Sequence, residues 1–485
     1  MPRPIALLIA CCLAIAACRK AAPPDSVDTV VLFSIDSLRA DHVGALGYGS
    51  PTTPSIDSLA ARGVVFTRAY STTSWTLPAH VSMLTGLDAE VHGVERDGFT
   101  IPATVRTIAE RAQAAGIETA GVFSGPYLQP VYGFGRGFRT YANCSGLGSD
   151  DSGLGRDWVG REEAQRRTRE SVTNPCVRER VAAWARSAPR DGKRFLFVHL
   201  WDVHYDYAPP PGYVEIFDAD YGGTTDFSEV FLNPAITPEM HPRDLRHLLA
   251  LYDGEIRWTD DTIAGILADL DGQGMLRNAV VVVTSDHGEE FFEHGGKGHR
   301  RTLQDEVLRV PLVVSWPGGP AIGRRSDEVV SLVDVAPAAC RWLGLDGADV
   351  GTGGPLVDGA RGDRGRGRDD ALAHLAQGFT VEDHAWVGHR SKAIEHRDGT
   401  IEVFGPPEFP ASDRKPVETL ARGDLDRASE LATHSVGALD ARVAEAKERA
   451  RLLHPSSPRP TAAIDDATRQ RLESLGYLPR AETPP

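Results

Sequence analysis

The chain has 485 residues, of which 41% are hydrophobic and 25% charged, and these proportions exclude a wholly disordered chain. The length suits one large α/β domain together with a smaller companion. Acidic residues outnumber basic ones by 67 to 52, which gives a formal net charge of -15. Because such a surface repels a phosphate backbone, we expect no nucleic-acid partner.

The N-terminus has the features of an export signal. A basic residue precedes an apolar run over residues 5–17, which is too short to cross a bilayer comfortably. The run ends in the letters IAAC, where Cys18 matches the lipidated cysteine of a bacterial lipobox. We predict a lipoprotein signal over residues 1–18 and a polar tether over 19–28, so that the protein is exported and lipid-anchored to a bacterial membrane, facing the periplasm or the cell surface. The alternative is a plain signal peptide cut near Ala17.

Predicted strands and helices alternate along most of the chain. The apolar, β-branched run over residues 29–35 is typical of a strand buried on both faces. Thr53 as a candidate N-cap, Pro54 in the first turn and a glycine at residue 63 predict a helix over 54–62. Further strands are predicted at 64–66, 119–123, 194–200, 279–284 and 311–315, and further helices at 105–115 and 256–270. This alternation predicts an α/β fold over residues 29–357, with a large, mostly parallel sheet between helices.

The remainder predicts a smaller C-terminal α+β region over residues 371–485. A linker rich in Gly, Arg and Asp precedes it at 358–370. An Asp-Gly pair between the apolar runs 392–396 and 400–404 predicts a hairpin, and residues 439–453 predict an amphipathic helix. No residue pattern in this region indicates chemistry.

Three cysteines remain after the predicted signal. Cys144 and Cys176 flank a polar stretch, and an oxidising compartment would let them form a disulfide. Cys340 stands in an Ala/Trp/Leu-rich helix and is expected to be a buried thiol.

Ligand-type side chains follow several predicted strands, at the edge of a parallel sheet where ligands collect. They are Asp36, then Asp202 and His204, then Asp286 and His287, with Lys297 and His299 in the next loop. One aspartate at a strand end is usually a turn or helix cap. Repeated at comparable positions, buried carboxylates are costly unless they are paired or bind a cation, so we predict a cation site.

Thr76 stands where a loop enters a predicted helix that ends at Gly86. One interpretation makes Thr76 the helix N-cap. The other makes it a nucleophile, with its alkoxide stabilised by a metal and by the positive end of the helix. The two roles are compatible.

Several motifs together resemble the sulfatase family of the alkaline phosphatase superfamily, in family order from about residue 29 to 345. They are DSLRADH at 36–42, PTTPSIDSLA at 51–60, TLPAH…LTG at 76–86, FLFVHLWDVHYDY at 195–207, TSDHGEE at 284–290, LRVPL at 308–312 and VDVAP at 333–337.

The resemblance implies a divalent metal (calcium, magnesium, manganese or zinc) held by Asp36, Asp286 and His287, with the nucleophile Thr76 touching it. Family members commonly have a second acid after the first, where this chain has Ser37.

The resemblance also places His204, Lys297 and His299 where relatives hold substrate oxygens or protonate the leaving group. Alternatively, Asp202, His204 and His299 bind a second metal, as in phosphodiesterase-like relatives, and Lys297 lies in a solvated, glycine-flanked loop.

The nucleophile departs from the family pattern. Authentic sulfatases oxidise a Cys or Ser, in a Cys/Ser-x-Pro-x-Arg motif, to formylglycine, whereas this chain has Thr76 and, in place of the arginine, His80, which we assign to substrate binding. Threonine cannot form the aldehyde hydrate from which sulfate is eliminated, but a phosphorylated threonine can be opened by water. This favours phosphate esters. Ser74 is an alternative nucleophile, but it does not stand at the position of the nucleophile in the family motif.

We therefore predict an exported, metal-dependent hydrolase of phosphate or sulfate esters, whose substrate is an anionic small-molecule, glycan or lipid ester. One alternative is a phosphoethanolamine- or phosphoglycerol-type transferase, although such proteins usually carry several membrane helices. The other is an inactive lipoprotein that keeps the fold to bind an anionic glycan or partner.

Overall fold

The computed structural model describes residues 26–145, 172–319, 323–346, 350–354, 356, 370–377, 381–406, 415–454, 459–475 and 477–478. The predicted signal peptide lies outside these residues, as do most of the tether and all but the last residue of the linker at 358–370.

A large mixed sheet forms the centre of the molecule. Its strands are β1 (Thr29–Ile35), β2 (Gly63–Tyr70), β3 (Glu118–Phe123), β4 (Thr140–Asn143), β5 (Arg194–Leu200), β6 (Ala279–Ser285), β9 (Arg309–Ser315) and β10 (Arg324–Ser331). They lie in the order β10-β2-β9-β6-β1-β5-β3-β4. A separate two-stranded ribbon consists of β7 (Glu290–Phe291) and β8 (Lys297–Gly298). Only the two pairs that β9 makes, with β2 and β6, are antiparallel, so the predicted parallel character is confirmed.

Helices cover both faces of this sheet. They are α1 (Pro54–Ala60), α2 (Thr76–Thr85), α3 (Ala89–His92), α4 (Ile108–Ala114), α5 (Asn174–Ser187), α6 (Glu215–Asp218), α7 (Pro242–Gly272), α8 (Asp305–Leu308) and α9 (Val335–Trp342), with 3-10 turns at Ala40–His42, Gly44–Leu46, Pro130–Tyr132 and Leu332–Asp334. Alternate side chains of the central strands enter two separate cores. Helices α2, α4 and α9 bury their apolar faces in one core, and α1, α5 and α7 bury theirs in the other.

The strand register determines where the functional residues meet. In the parallel ladders, Ile35 at the end of β1 pairs with Leu200 of β5 and with Ser285 of β6. The residues that follow, including Asp36 and Asp286, therefore leave the sheet side by side at one edge. Strand β2 runs in the same direction as β1, so the loop from Tyr70 to α2 reaches that edge too.

The C-terminal region contains a five-stranded antiparallel sheet and two helices. Its elements are β11 (Ala371–Gln377), β12 (Val381–Val387), β13 (Lys392–Glu395), β14 (Thr400–Phe404), β15 (Glu418–Ala421), α10 (Glu430–Leu453) and α11 (Asp466–Ser474), with a 3-10 turn at Arg422–Arg427. One face of the sheet adds to the main core, and the other packs on α10 and on Val91 of α3. The predicted hairpin and α+β character are confirmed.

Two helices are longer than predicted. Helix α7 begins at Pro242 rather than residue 256, after His241, whose side chain accepts from the Arg243 amide. Helix α10 begins at Glu430 rather than residue 439, after Ser429, whose side chain accepts from the Ala432 amide. In both cases the N-cap lies ahead of the most strongly amphipathic part of the helix.

The cysteines behave as predicted from the sequence. Cys144 and Cys176 form a disulfide with a Cα–Cα distance of 5.8 Å. Cys340 is buried and takes no part in this disulfide. In the part of the chain that the structure describes, no helix has the length and apolar character needed to cross a bilayer.

Candidate active site

Two carboxylates meet where β1 and β6 end. Asp36 and Asp286 are fully buried. Oδ1 of Asp286 accepts from the backbone amides of Ser37 (3.2 Å) and His287 (2.9 Å). The Ser37 hydroxyl donates to Asp36 Oδ1 (2.8 Å), and its backbone has φ 58°, the left-handed region that is uncommon outside glycine. Ser37, which replaces the second acid of the family pattern, therefore ties the two carboxylates together.

His287 turns one ring nitrogen toward this pair. Its Nδ1–H donates to the Gly288 carbonyl (2.9 Å), which can only accept, so Nε2 carries the free lone pair. Nε2 lies 3.4 Å from Asp286 Oδ2 and 3.7 Å from Asp36 Oδ1. This backbone hydrogen bond is the arrangement that orients a metal-ligating histidine.

Thr76 brings a hydroxyl to the same place. It is the first residue of α2, so it lies at the positive end of the helix dipole. Its Oγ1 lies 3.4 Å from Asp36 Oδ2 and 3.3 Å from His287 Nε2. The N-cap residue is Trp75, and no side chain caps α2, so the cap interpretation of Thr76 is wrong. We call Asp36, Thr76, Asp286 and His287 the strand-end cluster.

The strand-end cluster suits a divalent cation. Ligand atoms of Asp36, Asp286 and His287 all lie within 4.8 Å of one another. Asp286 Oδ2 is buried and makes no hydrogen bond. Burial raises the pKa of Asp36 to about 6, although His287 opposes the shift, and burial together with Asp36 raises the pKa of Asp286. Two buried carboxylates with an orphaned oxygen are the donor set that a cation would satisfy.

His199 was missed by sequence reasoning. Its Nε2 lies 3.4 Å from Asp36 Oδ2 at a fully buried position in β5. The sequence does hold a signal: a histidine interrupts an apolar strand, opposite Ser34 of β1, one residue before both strands end.

His80 lies beneath the cluster rather than in a position to bind substrate. It is fully buried, its Nδ1–H donates to the Thr76 carbonyl (2.8 Å), and its Nε2 lies 2.9 Å from the Ser34 hydroxyl. Both ring nitrogens are therefore occupied by protein. The predicted substrate-binding role of His80 is corrected to one of positioning the first turn of α2.

A second group, which we call the His–Tyr cluster, consists of His204, His299 and Tyr477. The Tyr477 hydroxyl lies 2.5 Å from His204 Nε2 and 2.8 Å from His299 Nε2. The rings of His299 and His287 are 4.4 Å apart, so this cluster adjoins the strand-end cluster. Tyr477 comes from the C-terminal region, in which no residue pattern indicates chemistry.

The donors and acceptors of the His–Tyr cluster set the direction of its hydrogen bonds. His204 Nδ1 faces the Tyr205 carbonyl (2.6 Å), so Nε2 of the neutral ring accepts from the Tyr477 hydroxyl. His299 Nε2–H must then donate to the Tyr477 oxygen, and its Nδ1, 3.0 Å from Glu289 Oε1, accepts. Burial holds the pKa of both histidines well below the usual histidine range, and it raises the pKa of Glu289 well above the usual glutamate range. Glu289 can therefore supply the proton that His299 Nδ1 accepts.

Arg300 fastens Tyr477 to the segment that leads into Thr76. Its guanidinium lies over the rings of Trp75 (4.1 Å) and Tyr477 (4.9 Å). Its backbone amide donates to the Ser74 carbonyl (2.9 Å). In the sequence, Tyr477 lies after a polar stretch and belongs to none of the motifs, so no sequence pattern assigns it to the site.

Asp202 does not join the candidate second metal site with His204 and His299. Its carboxylate accepts from the Thr173 amide (2.7 Å), the Thr173 hydroxyl (2.5 Å) and the Asn174 amide (2.6 Å). Asp202 is thus committed to the start of α5, where an aspartate satisfies unpaired amides. This corrects the second-metal alternative.

Lys297 is held by backbone carbonyls. Its ammonium donates to the carbonyls of Asn233 and Ile236, both at 2.7 Å. The residue therefore anchors the segment around 233–236 in this structure, and its assignment to substrate oxygens stays a prediction.

Comparison with known proteins agrees with this geometry. The sequence profile of the sulfatase family matches residues 28–345. An ulvan-active sulfatase of Formosa agariphila is 24% identical over 300 residues, which cover 60% of this chain and 56% of that protein.

Two solved structures share the fold. A phosphonate monoester hydrolase of Agrobacterium radiobacter superposes with a TM-score of 0.68 at 20% identity, covering 87% of this chain and 96% of that one. A structure in complex with D-glucosamine-2-N,6-O-disulfate superposes with a TM-score of 0.66 at 17% identity, covering 88% and 98%. With the profile matching well over half of its length, the chain belongs to the sulfatase family, within the alkaline phosphatase superfamily.

Proposed function

We propose that the chain is a metal-dependent hydrolase of phosphate or sulfate esters, with phosphate esters preferred and Thr76 as the nucleophile. The observation that carries the proposal is the position of the Thr76 hydroxyl. It lies within 3.4 Å of both Asp36 Oδ2 and His287 Nε2, at the N-terminus of α2. A hydroxyl there meets a carboxylate, an imidazole and the positive end of a helix at once.

The preference for phosphorus follows from the chemistry of threonine. A sulfated formylglycine hydrate releases sulfate by elimination, which needs a second oxygen on the same carbon. Threonine has one, so its ester must be opened by attack of water at the central atom, and a phosphoryl-threonine permits this. That the same fold occurs in a phosphonate monoester hydrolase supports the proposal.

The reaction has two displacements. Thr76 Oγ1 attacks phosphorus, the Oγ1–P bond forms, and the bond from phosphorus to the alcohol oxygen breaks with its electron pair. The hydroxyl proton is directed to Asp36, 3.4 Å away. Water then attacks the phosphoryl-threonine, which releases phosphate and restores the hydroxyl. A divalent cation held by Asp36, Asp286 and His287 would lower the pKa of the hydroxyl and neutralise charge on the phosphoryl group.

The departing alcohol needs a proton, and the His–Tyr cluster lies where one can be supplied. His299 lies beside His287, with their rings 4.4 Å apart, and is linked through Tyr477 to His204. Protons can shift along this chain from Glu289 without any heavy atom moving far. We assign His204 and His299 to leaving-group protonation, in which the departing alcohol displaces the Tyr477 hydroxyl from His299 Nε2 and takes the Nε2 proton, and Glu289 replaces that proton through Nδ1. Tyr477 holds both rings in place until then.

We propose further that the protein is exported, anchored through lipid on Cys18, and acts on an anionic small-molecule, glycan or lipid ester. The Cys144–Cys176 disulfide supports export, because such bonds persist in oxidising compartments. Mass spectrometry of the membrane fraction should find lipid on Cys18, and a Cys18→Ala variant should leave that fraction. An unlipidated mature N-terminus at another residue would contradict the anchor.

A substrate panel tests the reaction. Aryl sulfate, phosphate monoester, phosphodiester and phosphonate substrates are assayed after chelation and with Mg²⁺, Ca²⁺, Mn²⁺ or Zn²⁺ added back. We expect turnover of a phosphorus ester that Thr76→Ala abolishes. Ser74→Ala is the matched control, because Ser74 is also a buried hydroxyl in the same segment, and its Oγ makes no hydrogen bond. Full activity of Thr76→Ala, or no turnover of any ester by a metal-loaded chain, would contradict the proposal.

A further inference from the structure

A second set of histidines and carboxylates lies away from the strand-end cluster, between the C-terminal sheet and α3. It consists of Glu90 from α3, His374 from β11, and Glu382 and His384 from β12, and we call it the Glu/His cluster. Ligand atoms of all four residues lie within 4.8 Å of one another. It plays no part in the proposed ester hydrolysis.

The antiparallel register builds this cluster. His374 and His384 are directly paired across β11 and β12, and their rings stack 4.7 Å apart with an interplanar angle of 7°. Glu382 is two residues before His384, on the same face of the sheet and diagonal to His374. Glu90 reaches this face from α3, which packs there through Val91.

The cluster is buried and incompletely hydrogen-bonded. His374, His384 and Glu90 are 3%, 6% and 5% exposed. His384 Nε2 meets Glu90 Oε1 at 2.7 Å. Neither ring nitrogen of His374 makes a hydrogen bond, and neither does Glu90 Oε2. Buried polar atoms left in this state are costly in a purely protein environment.

Charge adds a second reason to expect a cation. A third carboxylate, Glu95, lies 3.6 Å from His374 Nδ1, and Glu382 lies 3.8 Å from His374 Nε2. Three carboxylates thus surround two imidazoles, with Arg459 acting on Glu95 from outside the cluster. Unless an imidazole is protonated, the cluster carries a net negative charge that a bound cation would offset.

We propose that Glu90, His374, Glu382 and His384 form a structural zinc site that fastens the C-terminal sheet to the main domain. Two imidazole nitrogens with two carboxylate oxygens form a ligand set that zinc accepts in tetrahedral geometry. In such a site, ligand atoms are about 3.4 Å apart. The separations of 2.7 Å for His384–Glu90 and 3.8 Å for His374–Glu382 lie on either side of that value, so small side-chain rotations complete the site.

Glu95 fits the site as the group that orients a ligand. With His374 Nε2 turned to the zinc, its Nδ1–H faces the Glu95 carboxylate. A carboxylate behind a ligating histidine fixes the ring and raises its basicity. The His374 backbone amide also donates to the Thr72 carbonyl (2.9 Å), in the loop that leads to Thr76. The zinc would therefore hold a strand that braces the approach to the proposed nucleophile.

Metal analysis of the full chain tests this proposal. The protein is purified, dialysed against excess Zn²⁺ and then metal-free buffer, and measured by elemental mass spectrometry. We expect His374→Ala and His384→Ala to contain one equivalent of zinc less than the wild type. The matched control is His396→Ala, because His396 also pairs with a glutamate (Glu402, 3.0 Å) in the same sheet but outside the cluster. Unchanged zinc in the two cluster variants would overturn the proposal.

Two further measurements guard against misfolding and against confusion with the strand-end cluster. Glu382→Gln keeps the shape of a half-buried residue, and zinc bound to this variant should dissociate at least tenfold more readily than zinc bound to the wild type.

Asp36→Asn in an otherwise intact chain should retain the zinc of the Glu/His cluster. When Co²⁺ replaces that zinc, the variant should show the intense visible absorption of tetrahedral coordination. Loss of all bound metal in Asp36→Asn would place the zinc in the strand-end cluster and overturn the proposal, whatever the fate of the ester hydrolysis.

Discussion

The strand-end cluster and the Glu/His cluster use the same residue types on two kinds of sheet. The first gathers Asp36, Asp286 and His287 where parallel strands end, and a helix N-terminus delivers a hydroxyl to them. The second forms on the face of an antiparallel pair, where His374 and His384 lie opposite each other and every donor is a potential metal ligand. Only the first combines metal-type ligands with a hydroxyl placed for nucleophilic attack, so we expect one cluster to serve catalysis and the other stability.

The largest predicted effect separates these two roles. Asp36→Asn should lower kcat/KM by about 10³-fold or more, because it removes charge beside the proposed nucleophile. His384→Ala should lower the free energy of unfolding by about 3 kcal/mol, because it leaves the buried Glu90 carboxylate without its hydrogen-bond partner. Steady-state kinetics and denaturant unfolding of both variants check this division. If Asp36→Asn lost stability while its folded fraction kept full activity, the catalytic role of the strand-end cluster would be contradicted.

A smaller effect is predicted for Tyr477, which ties the C-terminal region to the catalytic edge. Tyr477→Phe should lower kcat about 10- to 100-fold for esters of poor leaving groups and much less for aryl esters, since only the former need a proton as the bond breaks. The measurement is the slope of rate against leaving-group pKa. Tyr127→Phe is the matched control, because its ring neighbours Tyr477 at 5.3 Å while its hydroxyl donates to Asp97. Equal slopes in Tyr477→Phe and the wild type would show that Tyr477 does not position the proton donors.

The smallest effect is predicted for Lys297. Because its ammonium is held by the carbonyls of Asn233 and Ile236, Lys297→Met should change kcat by about threefold or less while loosening the segment around 233–236. Limited proteolysis would report that loosening. A drop in kcat comparable with that of Asp36→Asn would return Lys297 to the substrate site.

The sequence predicted much of the main domain because its strands are continuous apolar runs and their ends are marked by unusual polar residues. Parallel pairing then brings Asp36 and Asp286 together without further information. Helix starts were harder to predict, since the caps at His241 and Ser429 precede half-exposed turns.

The rest of the candidate site depends on side-chain direction and on long-range packing. Asp202 stands at a strand end like Asp36, yet its carboxylate accepts hydrogen bonds from the backbone amides at the start of α5. His80 follows the motif, yet its ring turns inward to Ser34. Tyr477 reaches the site from the far end of the chain, and the Glu/His cluster draws on elements almost 300 positions apart. No local periodicity encodes such meetings.

Acid quenching during turnover of a phosphorus ester, followed by peptide mass spectrometry, tests the account most directly. The account predicts one phosphoryl group on Thr76, present in the wild type and absent from Thr76→Ala. A phosphoryl group on Ser74 instead, or rapid turnover of the Thr76→Ala variant, would contradict it.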